Sequence, residues 1–144
     1  MKLSQQHMRG HAYLFAYGTL MEGLHQGLLR RAGARLVGKG TICAKLYDLG
    51  DYPGAKPNGG PRGSIVKGEL YRLSDPEGAV EILDRYEDFF PERLDKSLFV
   101  RRLARVTLED GRVQEAWTYF YNRPVDESRL VASGNYREVL AGRR

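Results

Sequence analysis

The side chain with the clearest chemical potential is Glu87. Ala79, Val80, Ile82, Leu83 and Tyr86 fall on one broad face of a predicted helix, and Glu81, Asp84, Arg85 and Asp88 cluster on the opposite side. Glu87 comes four residues after Leu83 and seven after Val80, so it projects from the apolar edge. A carboxylate in that place either has a basic partner or does chemistry. The second candidate is the stretch Tyr13-Leu14-Phe15-Ala16-Tyr17-Gly18-Thr19-Leu20, a run of strand formers that stops at a glycine. Gly18 lacks a Cβ, so the chain can take φ > 0 there and a ligand can approach the backbone closely. Successive N–H groups of Gly18, Thr19 and Leu20 round such a bend form an anion-binding nest. A plain strand-to-loop turn is the competing account.

Other reactive residue types carry less. His7 and His11 have the i,i+4 spacing of a helical metal pair, but no third ligand is near and Gly10 opposes a helix, so no metal site is expected. Cys43 is the single cysteine, which rules out an intrachain disulfide and suits a reducing compartment. Flanked by Ile42 and Ala44, it reads as a buried, inert thiol. Gly33-Ala34-Arg35-Leu36-Val37-Gly38-Lys39-Gly40 nearly spells a phosphate-binding loop, but the hydroxyl residue that would hold Mg²⁺ is Gly40. Arg102 shares strand parity with Val100, Ala104 and Val106, which points it inward toward a carboxylate or ligand unless the strand bulges.

These residues need elements to hold them. The chain has 144 residues and ordinary globular composition, enough for one domain with its own core. Residues 1–11 are expected to be a flexible tail and residues 12–144 a single domain. A strand and turn cover residues 13–20, a short helix about 24–34, and two strand segments flank the Gly38 and Gly40 pair. Residues 50–63, with five glycines and three prolines, read as a long loop. A strand follows at 64–73. The helix that carries Glu87 starts at a cap formed by Ser74 with Glu77, or by Asp75 with Pro76. Strands at 98–108 and 113–121 form a hairpin over Asp110-Gly111, and a turn at Ser133-Gly134-Asn135 precedes a short helix. Strands outnumber helices without regular alternation. The expected fold is therefore α+β: a small mixed β-barrel or strongly curled sheet with two or three flanking helices.

The net charge is +5 and the pI about 9.4, which invites a nucleic-acid reading. The basic residues are scattered, so a solvated basic surface and no nucleic-acid partner is the better account. No apolar run reaches membrane-spanning length and the first residues lack a signal-peptide core, so no membrane association and a cytoplasmic location are expected.

Six pieces in order resemble the gamma-glutamylcyclotransferase-like family, in its gamma-glutamylamine (AIG2-like) branch. They are Tyr17-Gly18-Thr19-Leu20 after an apolar strand, Tyr52-Pro53-Gly54, Val66-Lys67-Gly68-Glu69-Leu70-Tyr71, Leu83-Asp84-Arg85-Tyr86-Glu87, Ala116-Trp117-Thr118-Tyr119 and Ser133-Gly134-Asn135-Tyr136. The resemblance implies a barrel with its ligand cavity at one mouth and a cofactor-independent, metal-free reaction. In that reaction the α-amine of a γ-glutamyl group attacks its own γ-carbonyl, releasing 5-oxoproline and an amine. It implies Glu87 as general acid and base, and Tyr17, Gly18, Thr19, Leu20 and Tyr119 as substrate contacts. Asp88 stands where the family often has glycine, Phe99 where it often has tyrosine, and Asn135-Tyr136 where it has Asp-Trp. The leaving group is left open among amino acids, γ-glutamyl-ε-lysine, other amines and glutathione, and Thr19 resembles the γ-glutamylamine form of the loop. Two other readings stand beside this one: a non-catalytic carboxylate-binding protein of the same fold, and a basic module that binds nucleic acid or a partner.

Overall fold

In the computed structural model the described residues are 12–18, 26–57 and 64–143. The expected tail at 1–11, with His7 and His11, lies outside them, as do Thr19 and Leu20. The described chain runs β1 (Tyr13–Ala16), α1 (Gln26–Arg31), β2 (Ala34–Asp48), β3 (Pro53–Pro57), β4 (Ile65–Leu73), α2 (Pro76–Tyr86), β5 (Phe99–Leu108), β6 (Val113–Tyr121) and α3 (Tyr136–Gly142).

β1 is apolar at every position because it lies inside the sheet and is buried on both faces. β4 pairs with it antiparallel, Ala16 opposite Glu69, and β6 pairs parallel at Leu14 and Trp117. The strand order is β3-β2-β4-β1-β6-β5, and β2 also meets β5 at Gly40–Leu108 and Thr41–Thr107. That pairing closes β2, β4, β1, β6 and β5 into a mixed five-stranded barrel, with β3 added on the free end of β2. The expected fold class is the observed one.

Several local expectations change. The two segments around Gly38 and Gly40 are one continuous strand, β2, with a bulge between Leu36 and Gly38 absorbing the irregularity. The long loop at 50–63 contains β3, which pairs with Ala44–Asp48. Its two prolines are tolerated because β3 is an edge strand, with one side free of ladder bonds. Cys43 is exposed, whereas Ile42 and Ala44 are buried. Apolar neighbours on a half-buried strand place the residue between them on the opposite face. At α2 the cap is Asp75, whose Oδ1 accepts from the Gly78 N–H at 3.3 Å, with Pro76 in the first turn. Ser74 instead donates to the Gly33 carbonyl at 3.2 Å. No helix among the described residues is long and apolar enough to cross a membrane.

Candidate active site

β1 ends against the second half of the barrel through one tyrosine. The buried Tyr17 hydroxyl donates to the Tyr119 carbonyl at 2.6 Å and accepts from the Ala55 N–H at 3.0 Å. It thereby ties the end of β1 to β6 and β3. Burial first, and then the nearby Glu87 charge, hold the phenol far above its ordinary titration range, outweighing the Ala55 N–H bond, which favours the phenolate. Gly18 follows, and its φ is not left-handed. The reason for glycine is space: a Cβ there would come within 2.7 Å of the Pro53 ring.

α2 brings up the carboxylates. Its last turn closes as a Schellman motif, with the Phe89 N–H donating to the Asp84 carbonyl (2.9 Å) and the Asp88 N–H to the Arg85 carbonyl (3.3 Å). This motif needs a left-handed residue, and Asp88 supplies it with φ 53°. The glycine expected at that position has the same conformational basis, and aspartate is among the side chains that accept it. The Leu98 N–H then donates to the Asp88 carbonyl at 2.9 Å and fixes the turn against the start of β5.

Asp84 does not lie on a solvated polar face. Its carboxylate accepts from Arg101 Nε at 2.8 Å and Nη2 at 3.3 Å, and from the Tyr119 hydroxyl at 2.6 Å. The Arg101 guanidinium also sits 4.2 Å from the Trp117 ring centroid and 5.5 Å from that of Phe89. Sequence reasoning missed both residues. The available signal for Asp84 was its place three residues before Glu87, which makes the two neighbours on the helix surface. The inward arginine is Arg101; Arg102 is exposed although β5 and β6 pair without a bulge there. Parity misleads because consecutive residues are buried on this hairpin, Phe99 with Val100 and Tyr119 with Phe120.

Tyr17, Gly18, Glu87 and Tyr119 line one cavity of about 330 Å³. Phe15, Ala16, Leu98 and Phe99 give it apolar walls, and the Phe99 ring packs on Tyr52 and Tyr121 at centroid distances of 5.8 and 5.5 Å. Among the described residues no cation or hydrogen-bond donor pairs with the Glu87 carboxylate. Burial, reinforced by the adjacent Asp88 charge, pushes its pKa up to about 8. Tyr119 is different, because its hydroxyl is committed to Asp84; burial and that acceptor hold the phenol far above its ordinary range. Among the described residues no cluster of histidine, cysteine and carboxylate side chains could hold a metal ion.

The model of the family described as gamma-glutamyl cyclotransferase, AIG2-like, matches residues 14–138. The chain belongs to this family. The gamma-glutamylcyclotransferase family protein YtfP of Escherichia coli K12 is 33% identical over 125 residues, covering 85% of this chain and 94% of that protein. A putative gamma-glutamylcyclotransferase of Methanocaldococcus jannaschii is 28% identical over 131 residues, covering 88% and 96%. In the crystal structure of a mouse AIG2-like protein the cyclotransferase-family fold recurs with TM-score 0.67 and 25% identity, over 87% of each chain. An uncharacterized protein of Pyrococcus horikoshii shares the fold at TM-score 0.59 and 21% identity, over 92% of this chain and 95% of that one.

Proposed function

We propose that this protein is an active cyclotransferase that releases 5-oxoproline from a γ-glutamyl amide, with Glu87 as general acid and base. The observation that carries the reading is the Glu87 carboxyl: it lacks a partner among the described residues and lines an apolar-walled cavity beside Gly18, and burial with the adjacent Asp88 charge pushes it up to about 8. A free α-amino group titrates at about 8 as well. Proton transfer between the two is then close to balanced, the condition under which acid–base catalysis is most effective.

The reaction needs little else. Nucleophile and electrophile belong to one molecule, so closing the five-membered ring carries a large proximity advantage. Ionised Glu87 takes a proton from the substrate α-ammonium. The freed amine attacks the γ-carbonyl and a new C–N bond forms. Protonated Glu87 hands its proton to the departing nitrogen, and the old amide C–N bond breaks. The second proton on the ring nitrogen follows the same route to the released amine. Two protons leave the α-nitrogen and two arrive on the leaving nitrogen, so Glu87 ends in its starting state and no water is consumed. Backbone amides of Gly18, Thr19 and Leu20 are assigned to the α-carboxylate and the transient oxyanion. Tyr17 and Tyr119 contribute ring walls, since both hydroxyls are held by protein partners.

A screen of γ-glutamyl amides for 5-oxoproline release tests the proposal. Release from at least one of them, lost in Glu87→Gln, is the expected result. Binding of 5-oxoproline with no turnover of any amide would leave a carboxylate-binding protein instead.

A further inference from the structure

The floor and the rim of the cavity differ in chemistry. Gly18 is buried at the floor, while Asp51 and Asp88 are exposed at the rim, with Tyr52 and Tyr86 lining the same opening. Neither Asp51 nor Asp88 is in an ion pair among the described residues. No lysine, arginine or histidine lines the cavity among those residues. The rim groups are mutually close: burial first, then Tyr121, Asp51, Asp88 and Glu87 all hold the Tyr52 phenol in its neutral form. Asp88 cannot swing away with the backbone, because the Schellman turn and the bond from the Leu98 N–H fix it.

Uncommitted carboxylates beside aromatic faces match an ammonium group, by charge and by cation–π contact. The γ-glutamyl half places its own carboxylate at the backbone N–H end near Gly18, so the rim faces the leaving amine. We infer, resting on the cyclotransferase reading above, that Asp51 and Asp88 with the Tyr52 and Tyr86 rings select a leaving amine bearing a second ammonium and no carboxylate. The substrate class is the γ-glutamyl amide of an aliphatic diamine. An amino acid or peptide leaving group would bring its carboxylate toward like charges, which disfavours binding.

Three substrates with the same five-carbon spacer separate the charges: the γ-glutamyl amides of cadaverine and of pentylamine, and γ-glutamyl-ε-lysine. Their kcat/KM values for 5-oxoproline release are compared at neutral pH and low salt. Exposed ion pairs are each worth a factor of about two to five, so the two carboxylates favour the cadaverine amide over the pentylamine amide by about tenfold. The lysine compound falls below the cadaverine amide. Asp51→Asn and Asp88→Asn each reduce the cadaverine-to-pentylamine ratio, the double variant brings it close to unity, and added salt shrinks it in the wild type. Each ratio is taken on one enzyme at one pH, so the effect of Asp88 on Glu87 ionisation cancels. Asparagine accepts the left-handed backbone at 88. Equal turnover of the three amides, or a ratio unchanged in the variants, overturns the charge selection and leaves the cyclotransferase reading standing. Folded enzyme that turns over other γ-glutamyl amides but none of these three overturns the diamine inference alone, and folded enzyme that turns over no γ-glutamyl amide removes the cyclotransferase reading and the inference with it.

Discussion

Two carboxylates on the last turn of α2, three residues apart, meet opposite fates. Asp84 is gripped by Arg101 and by the Tyr119 hydroxyl. Glu87 has no such partner among the described residues and faces a cavity that favours its neutral form. Asp84 lies in the last turn of the helix and Glu87 at its C-cap, and the difference comes from what β5 and β6 present to each position. A cation on a neighbouring strand turns one carboxylate into an anchor. Apolar walls and a like charge turn the other into an acid that is still protonated near neutrality. Environments that separate two neighbouring acids in this way are how proteins divide structural from proton-transfer roles.

The contrast breaks most visibly at Glu87. Glu87→Gln keeps size and reach but cannot exchange a proton, so kcat for 5-oxoproline release should fall by about a hundred- to ten-thousand-fold. The fold should not suffer. Because the folded-state pKa lies above the ordinary value of 4.5, the carboxyl ionises first in the unfolded chain. Wild-type stability is therefore eroded as pH rises from about 4.5 to about 8, and the glutamine variant escapes this. The difference in thermal midpoint, variant minus wild type, should grow over that window and level off above it.

At Asp84 the order reverses, with stability affected first. Asp84→Ala leaves Arg101 and the Tyr119 hydroxyl without their partner at a site where both charged side chains are about one-sixth exposed. The expected loss is about 3 kcal/mol in urea unfolding. Activity should fall as a consequence of Glu87 and Tyr119 losing their fixed positions, and the pH dependence of the residual turnover should keep the wild-type shape.

Tyr17→Phe tests the staple on the far side of the same cavity. It removes the bond to the Tyr119 carbonyl and leaves the Ala55 N–H without its acceptor, for a loss of about 2 kcal/mol. Arg101→Lys keeps the charge but gives up the two-pronged bond and the stacking on Trp117, at about 1 kcal/mol. Asp88→Gly should change stability by less than about 1 kcal/mol, since glycine accepts φ 53° freely but is also freer in the unfolded chain. Its sharper effect is electrostatic: without the neighbouring charge the titration of Glu87 moves down.

What could be read from sequence was what repeats along an element. The strand run of β1, the apolar face of α2 and the stray position of Glu87 all follow from local residue pattern, and the α+β class, as a barrel or a curled sheet, follows from the sequence of strand runs. Long-range placement could not be read that way. Asp84 looked solvated because nothing local reveals that Arg101, 17 residues later, lies across from it. Arg102 looked inward because parity separates faces only where one of them meets water. Cys43 was misjudged by treating apolar neighbours as a surrounding shell, when on a strand they face the other way. β3 was hidden by prolines that an edge strand can carry. At Gly18 the residue type was informative, but its reason is the Pro53 ring, 35 positions away.

Glu87, which has no partner among the described residues, is an acid whose ionisation is delayed by its surroundings. The most direct test is a titration of the Glu87 carboxyl carbon by NMR in the folded protein without ligand. The expected midpoint is near 8, falls in Asp88→Gly and stays high in Arg102→Ala. A midpoint near the ordinary 4.5, unmoved by the change at 88, would contradict it.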